Sequence, residues 1–214
     1  MIDVADHLRE HSVLAILRGV PASELAKLGL AIVDGGVRSL EVTFTDADAG
    51  DKIRLLRDEL PDGVQVGAGT VTTRARAEQA RAAGASFLVT PHVAAEVNAF
   101  ARDHALPVLC GATTPSEIAQ ALEQGCTFVK LFPAGPLGAS YLRALMGPYP
   151  GLEVFAVGGV ASANARAFLE AGAIGLGIGG GLTSPGGSAA GLAAVSRQAR
   201  ELVGIVTTFR AEPA

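Results

Sequence analysis

The sequence predicts an α/β protein of the (β/α)8 TIM-barrel class, built as one domain over residues 1–214. Three observations support this prediction. Short apolar runs alternate with segments of helical spacing at a period of about 20 to 25 residues. Eight such runs fit into the 214 residues, and the 27 glycines and 11 prolines are spread along the chain instead of clustering. This pattern indicates many short connections between strands and helices.

The predicted strands are the apolar runs at residues 13–18, 39–44, 65–70, 87–91, 107–111, 127–132, 153–158 and 175–179. The clearest predicted helices lie at residues 22–34, 73–83 and 115–124. Residues 1–12 are expected to form a short helix over the bottom of the barrel. The tripeptides Ala-Gly-Ala at 83–85 and 171–173 predict helix ends. Because periodicity does not establish closure, an open flavodoxin-like or Rossmann sheet is the structural alternative.

Composition excludes several classes of protein. Apolar residues make up 49% and charged residues 18%, which is too little charge for a disordered chain. The net charge is −4 and no basic stripe occurs, so nucleic acid is not an expected partner. The segment Ala171–Ser196 has no charged residue, but its glycines and proline argue against a membrane span. The charged N-terminus does not resemble a signal peptide, so we expect a cytoplasmic protein.

The sequence offers little support for a metal or a cofactor. Cys110 and Cys126 are 16 residues apart in apolar surroundings and are expected to be reduced core residues. The four histidines are scattered and form no pair near carboxylates with the spacing of metal ligands. No nucleophile elbow of the GxSxG type occurs. We therefore expect no metal and no cofactor.

Lys130 is the first residue with a pattern typical of catalysis. The chain has three lysines, and Lys27 and Lys52 are predicted to lie on solvated helix faces. Lys130 instead lies within the strand TFVKLF, on the same face as Phe128 and Phe132. An ammonium group in a barrel interior is unfavourable, and a neutral amine is a nucleophile toward carbonyl carbons. This pattern predicts Schiff-base chemistry; a structural ion pair with an interior carboxylate is the alternative.

Glu41 is the candidate carboxylate. Alternation in the strand LEVTF places Glu41 and Thr43 on the face opposite Leu40 and Val42, which would point Glu41 into the lumen. A buried glutamate near an amine can move protons to and from a carbonyl adduct if burial raises its pKa.

The ends of other predicted strands carry small or polar residues, and in a barrel these ends surround the active site. Arg18 could bind an acid or a phosphate, and Thr70 could bind a carboxylate, although a surface salt bridge or a turn also explains them. Glycines follow the last two strands at 158–159 and 179–181. Bare backbone at these positions can approach an anion closely, which favours a phosphate site over simple close packing.

The motifs ILRGV, EVTFT, VGAGTV, VTPH, VKLFPA, GPYP and VGGV follow one another in an order that resembles the 2-keto-3-deoxy-6-phosphogluconate (KDPG) and 4-hydroxy-2-oxoglutarate (KHG) aldolase family. The resemblance spans nearly the whole chain. It implies a class I aldolase on a (β/α)8 barrel, a homotrimer and a role in Entner–Doudoroff-type breakdown of sugar acids. The implied partner is a phosphorylated keto-acid substrate.

The resemblance also implies a role for each matching residue. Lys130 would form the Schiff base and Glu41 would act as general acid and base. Arg18 and Thr70 would contact the pyruvoyl carboxylate. The remaining matches would shape the pocket, as for Pro91 and Phe132, or bind the substrate phosphate, as for Gly158, Gly159, Gly179 and Gly180.

The chain also departs from the family pattern near the phosphate end. Thr45 stands where many members have arginine, Val157 where many have threonine, and many members have a serine near the position of Gly180. FAVGGV resembles the 2-keto-3-deoxy-6-phosphogalactonate branch, whereas EVTFT resembles the phosphogluconate branch. The preferred C4 epimer therefore stays open, as does 4-hydroxy-2-oxoglutarate as substrate.

Two more distant functions fit the same residues. One is a phosphosugar isomerase or epimerase that uses Glu41 as base and Lys130 as electrostatic support. The other is a non-catalytic barrel that binds sugar phosphates, in which Glu41 and Lys130 form only a structural pair.

Overall fold

The computed structural model describes residues 3–184 and 187–212 and has eight parallel strands that close into a barrel in chain order. Each strand pairs with its sequence neighbours, and β8 pairs with β1 to complete the ring. The strands are β1 (Val13–Leu17), β2 (Ser39–Thr43), β3 (Gln65–Gly69), β4 (Leu88–Val89), β5 (Val108–Ala112), β6 (Phe128–Leu131), β7 (Val154–Val157) and β8 (Ala173–Ile178). The predicted barrel is confirmed, and the open sheet is wrong.

Helices connect the strands on the outside of the barrel. They are α1 (Val4–His11), α2 (Ala22–Asp34), α3 (Ala49–Glu59), α4 (Arg74–Ala82), α5 (Ala95–Asp103), α6 (Pro115–Glu123), α7 (Ala134–Leu137), α8 (Ala139–Met146), α9 (Ser162–Glu170), α10 (Gly180–Thr183) and α11 (Ala189–Ala211). The predicted helix ends are confirmed, because α4 and α9 stop directly before Ala83 and Ala171.

The strands carry apolar side chains on both faces, as parallel strands covered by helices do. Every residue of β1, β2 and β5 is buried. One apolar cluster lies between strands and helices, and a second fills the lower lumen around Leu14, Phe87 and Phe128. Leu8 of α1 belongs to the lumen cluster, so this helix closes the bottom of the barrel as expected.

The last helix covers the seam where the chain closes on itself. α11 has 23 residues and packs against α2 and α9. Its buried stripe includes Val195, Leu202 and Val206. The uncharged segment Ala171–Ser196 contains β8, α10 and the beginning of α11. In the described part of the chain, no helix has both the length and the apolar character that crossing a membrane requires.

Candidate active site

Glu41 lies in the lumen on β2 and is fully buried. Strand β3 pairs with β2 beside Glu41. Gly69 of β3 has no side chain and so leaves space for the carboxylate, because a Cβ atom at Gly69 would overlap Glu41 Oε1. Both carboxylate oxygens lack a hydrogen-bond partner among the described residues. A buried polar group without a partner is unusual in a folded protein, and such groups concentrate at functional sites.

The surroundings of Glu41 change its pKa in opposite directions. Burial raises the pKa of Glu41, and the positive charges of Lys130 and Arg18 partly oppose this by lowering it. The net pKa is raised from its ordinary value. A raised pKa brings a carboxyl group closer to the neutral range, which favours acid–base chemistry.

Lys130 lies on β6 with only 4% of its surface exposed. Phe128 on the same strand face belongs to the lumen cluster, which confirms the predicted orientation. The Lys130 amine lies 5.3 Å from the centre of the Phe132 ring. Because neither oxygen of Glu41 has a hydrogen-bond partner among the described residues, the structural ion pair with Lys130 is not present.

A cavity of about 440 Å³ opens above Lys130 at the carboxyl ends of β1, β6, β7 and β8. Seven of the ten residues singled out from the sequence line it: Arg18, Lys130, Phe132, Gly158, Gly159, Gly179 and Gly180. The two glycine loops therefore meet at the cavity that Lys130 also lines. Backbone at this end of a barrel can bind an anion.

The other three, Glu41, Thr70 and Pro91, do not line this cavity. Thr70 follows β3, and its carbonyl oxygen accepts a hydrogen bond from Arg76 Nη1 at 3.2 Å. The backbone of Pro91 lies against Gly111 of β5. Their roles toward a substrate stay predictions.

The position of Lys52 differs from the one predicted from the sequence. Its expected position on a solvated helix face is wrong, because it is 6% exposed and forms salt bridges of 2.8 Å with Asp46 and 3.0 Å with Asp48. The apolar periodicity of α3 correctly identified a helix. It could not show that the preceding loop turns its two carboxylates back over the lysine.

Sequence reasoning also missed Thr183, which lines the cavity beside the last glycine loop. Its hydroxyl lies 3.5 Å from the carbonyl oxygen of Gly179, to which it donates. The available signal was its place shortly after the glycines that follow β8. In the described part of the chain, histidine, cysteine and carboxylate side chains form no group of three or more that could hold a metal ion.

Comparisons with known proteins agree with this architecture. Residues 4–194 match the family model described as KDPG and KHG aldolase. The chain belongs to the KDPG and KHG aldolase family. It is 34% identical to 2-dehydro-3-deoxy-phosphogluconate aldolase of Treponema pallidum, over 96% of this chain and 100% of that protein.

A further relative and a solved structure are similar over most of their length. The chain is 33% identical to 2-dehydro-3-deoxy-6-phosphogalactonate aldolase of Escherichia coli, over 92% of this chain and 94% of that aldolase. A solved structure of native KDPGal superimposes with a TM-score of 0.86 at 30% identity, covering 92% of this chain and 95% of the other. The family therefore includes relatives named for both C4 epimers at nearly equal identity.

Proposed function

We propose that this protein is a class I aldolase that reversibly cleaves 2-keto-3-deoxy-6-phosphogluconate to pyruvate and glyceraldehyde 3-phosphate. One observation carries the proposal: the buried amine of Lys130 lies in the same cavity as two glycine loops. The nearby Glu41 carboxylate has no partner among the described residues. The activity named for the Treponema pallidum relative supports this reaction, and the activity named for the Escherichia coli relative supports the alternative, cleavage of the phosphogalactonate epimer.

The first half of the reaction forms an imine. The amine of Lys130 attacks the C2 ketone of the substrate in its unprotonated form, and its electron pair forms the new C–N bond. The resulting carbinolamine loses water, for which a proton from Glu41 converts the hydroxyl into a leaving group. The product is an iminium whose positive nitrogen can accept the electron pair of a neighbouring carbon–carbon bond.

The second half breaks the C3–C4 bond. Glu41 accepts the proton of the C4 hydroxyl, the C4 oxygen forms a carbonyl, and the C3–C4 electron pair moves into the iminium to give an enamine. Glyceraldehyde 3-phosphate leaves at this point. Protonation of the enamine at C3 and hydrolysis of the imine then release pyruvate and restore Lys130. No external cofactor takes part in these steps.

The cavity lining offers groups for both anionic ends of the substrate. Arg18 can bind the carboxylate through charge-assisted hydrogen bonds. The loops with Gly158, Gly159, Gly179 and Gly180 can bind the phosphate through backbone N–H groups. Thr70 is proposed as a second carboxylate contact, and Pro91 with Phe132 as walls of the pocket.

The C4 epimer is the finer question. Purified protein is assayed for pyruvate release from the two epimeric phosphorylated keto acids and from 4-hydroxy-2-oxoglutarate. We expect the highest kcat/KM with the gluconate epimer. A higher value with the galactonate epimer would move the protein to the other branch. No release from any of the three would contradict aldolase activity and favour the isomerase or the binding module.

The homotrimer that the family resemblance implies is also part of the proposal. Light scattering on the eluting peak of a size-exclusion column measures the mass directly. A mass near three chains is expected, and a monomer would contradict it.

A further inference from the structure

The ring of Phe132 is close both to the Lys130 amine and to one of the glycine loops. The ring centre lies 5.3 Å from Lys130 Nζ. A Cβ atom at Gly158 would come within 2.8 Å of Phe132 Cε2, so the ring lies against the bare backbone of this loop. All three residues line the cavity. The position of the ring therefore determines part of the space in which a substrate attached to Lys130 would extend toward Gly158.

The backbone of Phe132 is held by a side chain instead of a regular strand bond. Strands β5 and β6 pair as far as Ala112 and Leu131, and Thr113 and Phe132 come next in the same register. The Phe132 N–H donates to the Ala112 carbonyl oxygen at 3.4 Å, which is longer than an ordinary backbone hydrogen bond. The Phe132 carbonyl oxygen instead accepts a short bond of 2.7 Å from the Thr113 hydroxyl. This hydroxyl is therefore the closer of the two contacts that fix the Phe132 backbone to β5.

Thr113 is itself held at both of its backbone polar groups. Its N–H donates to Glu117 Oε2 at 2.9 Å, and its carbonyl oxygen accepts a bond from the Tyr141 hydroxyl at 2.8 Å. Glu117 belongs to α6 and Tyr141 to α8. Side chains from two helices therefore fix the residue whose hydroxyl holds Phe132.

The charge of Glu117 strengthens this arrangement. The same oxygen, Oε2, also accepts bonds from the N–H and the hydroxyl of Thr114, which is the N-cap of α6. The N–H groups of Thr114 and Thr113 lower the pKa of Glu117, so the carboxylate is ionised across the neutral range. Hydrogen bonds to an ionised acceptor are stronger than those between neutral groups. The backbone of Thr113 is therefore firmly placed.

We propose that Thr113 is a positioning residue, which holds the carbonyl oxygen of Phe132 and thereby fixes the Phe132 ring at the edge of the space where the phosphorylated part of the substrate extends toward Gly158. The inference rests on the proposed function, because it concerns the fit of a phosphorylated keto acid. Thr113 does not line the cavity and acts only through Phe132.

The test compares a long substrate with a short one in Thr113→Val, which replaces the hydroxyl by a methyl group. Steady-state assays use whichever phosphorylated epimer the wild type cleaves faster. Its KM should rise about fivefold, the usual effect of losing one neutral hydrogen bond, and kcat should stay within twofold because Lys130 is untouched. Borohydride trapping with pyruvate gives the second value. The half-saturating pyruvate concentration should change less than twofold, since pyruvate lacks the phosphorylated part.

Two further variants control for the chemical change itself. Thr113→Ser retains the hydroxyl and should recover most of the wild-type KM. Thr127→Val makes the same change next to the opposite end of β6, where the Thr127 hydroxyl accepts a bond from the Val108 N–H at 3.1 Å. This variant should leave both the KM and the half-saturating pyruvate concentration at wild type.

Phe132 supplies the decisive comparison. Phe132→Ala removes the ring that Thr113 is proposed to place, and it should raise the KM at least as much as Thr113→Val does. The double variant should be no worse than Phe132→Ala alone, because residues that act through one another are not additive.

Three results would overturn the proposal. One is an unchanged KM in Thr113→Val, with or without lower thermal stability, since Thr113 would then support only the fold. Another is an equal rise for pyruvate and for the phosphorylated substrate, which would place the effect at the amine. The third is full additivity with Phe132→Ala.

Tyr141→Phe is the milder variant if Thr113→Val does not fold. It removes only the bond to the Thr113 carbonyl oxygen, so the KM should rise about twofold with pyruvate binding unchanged. An unchanged KM in this variant contradicts the proposal.

The wild type separates this inference from the proposed function. A wild-type protein that releases no pyruvate and traps none contradicts the proposed function, and the positioning role is overturned with it. An active wild type with an unchanged KM in Thr113→Val overturns the positioning role alone.

Discussion

Two buried lysines lie near carboxylates in this barrel, and the two regions differ in whether the carboxylates have partners. At the rim, Lys52 is 6% exposed and lies 2.8 Å from Asp46. In the lumen, Lys130 is 4% exposed, and both oxygens of the nearby Glu41 lack a partner among the described residues. Burial is therefore almost equal in the two regions. The comparison teaches that the two lysines differ in whether the neighbouring carboxylate is paired, and this is the difference expected between a structural lysine and the proposed reactive one.

Each arrangement suits a different task. A buried charge is tolerated when it is paired, and breaking such a pair is strongly unfavourable. The salt bridges of Lys52 therefore hold the loop between β2 and α3 against the beginning of α3. A buried carboxylate without hydrogen-bond partners lowers the stability of the fold, but its oxygen lone pairs stay available to accept a proton from a substrate. The unfavourable unpaired carboxylate therefore lies where the proposed chemistry takes place.

The largest expected effect comes from filling the space that Gly69 leaves for Glu41. In Gly69→Ala, the new Cβ would overlap Glu41 Oε1, so the carboxylate must move. A displacement of about 1 Å can lower a rate on the order of 10²-fold, and we expect a loss of this size in kcat. Steady-state assays of pyruvate release measure it.

Gly50→Ala is the matched control for this variant. A Cβ at Gly50 would make only ordinary contact, at 3.8 Å from Ala83 Cβ. Its activity should equal that of the wild type, and alanine in helix α3 should add up to about 1 kcal/mol of stability. Equal activity of both variants would mean that the position of Glu41 does not limit catalysis.

A smaller effect concerns stability and its dependence on pH. Because the pKa of Glu41 is raised in the folded protein, ionisation favours the unfolded chain. The stability contribution of Glu41 is therefore largest below its unfolded pKa and decreases as pH rises from there through the folded pKa. Glu41→Gln does not ionise, so at neutral pH it should be more stable than the wild type by about 1 kcal/mol, while losing activity.

Thermal unfolding of both proteins between pH 4 and pH 8 measures this difference. The advantage of Glu41→Gln should be small at the acidic end and grow toward neutral pH. An advantage that is constant with pH would show that the buried carboxyl does not titrate as the comparison requires. A wild type that is more stable at neutral pH would indicate a hidden partner for Glu41.

Local pattern was sufficient to predict most of the fold. The spacing of apolar residues indicates which face of a strand or helix is buried, and this spacing was enough to predict most elements. Helix α2, for example, has the predicted bounds 22–34. The 23-residue α11 was not predicted. Glycines such as Gly191 and Gly204 and the threonines near its end weaken the helical signal, and the helix is held by packing against α2 and α9.

The site was predictable where strand periodicity determined it. Alternation alone placed Glu41 and Lys130 in the lumen. Lys52 could not be assigned in this way, because its partners Asp46 and Asp48 approach it through the conformation of a loop. Thr183 was missed for a similar reason, since the path of the chain after the glycines depends on tertiary structure.

The central claim is that Lys130, and neither other lysine, forms an imine with a keto acid. The protein is reduced with borohydride in the presence of pyruvate and then analysed by peptide mapping. This experiment shows which of the three lysines of the chain carries a reduced adduct. The account predicts a reduced adduct on Lys130 and none on Lys52 or Lys27, with Lys130→Met as the blank. An unmodified Lys130, or an equal adduct on Lys52, would contradict it.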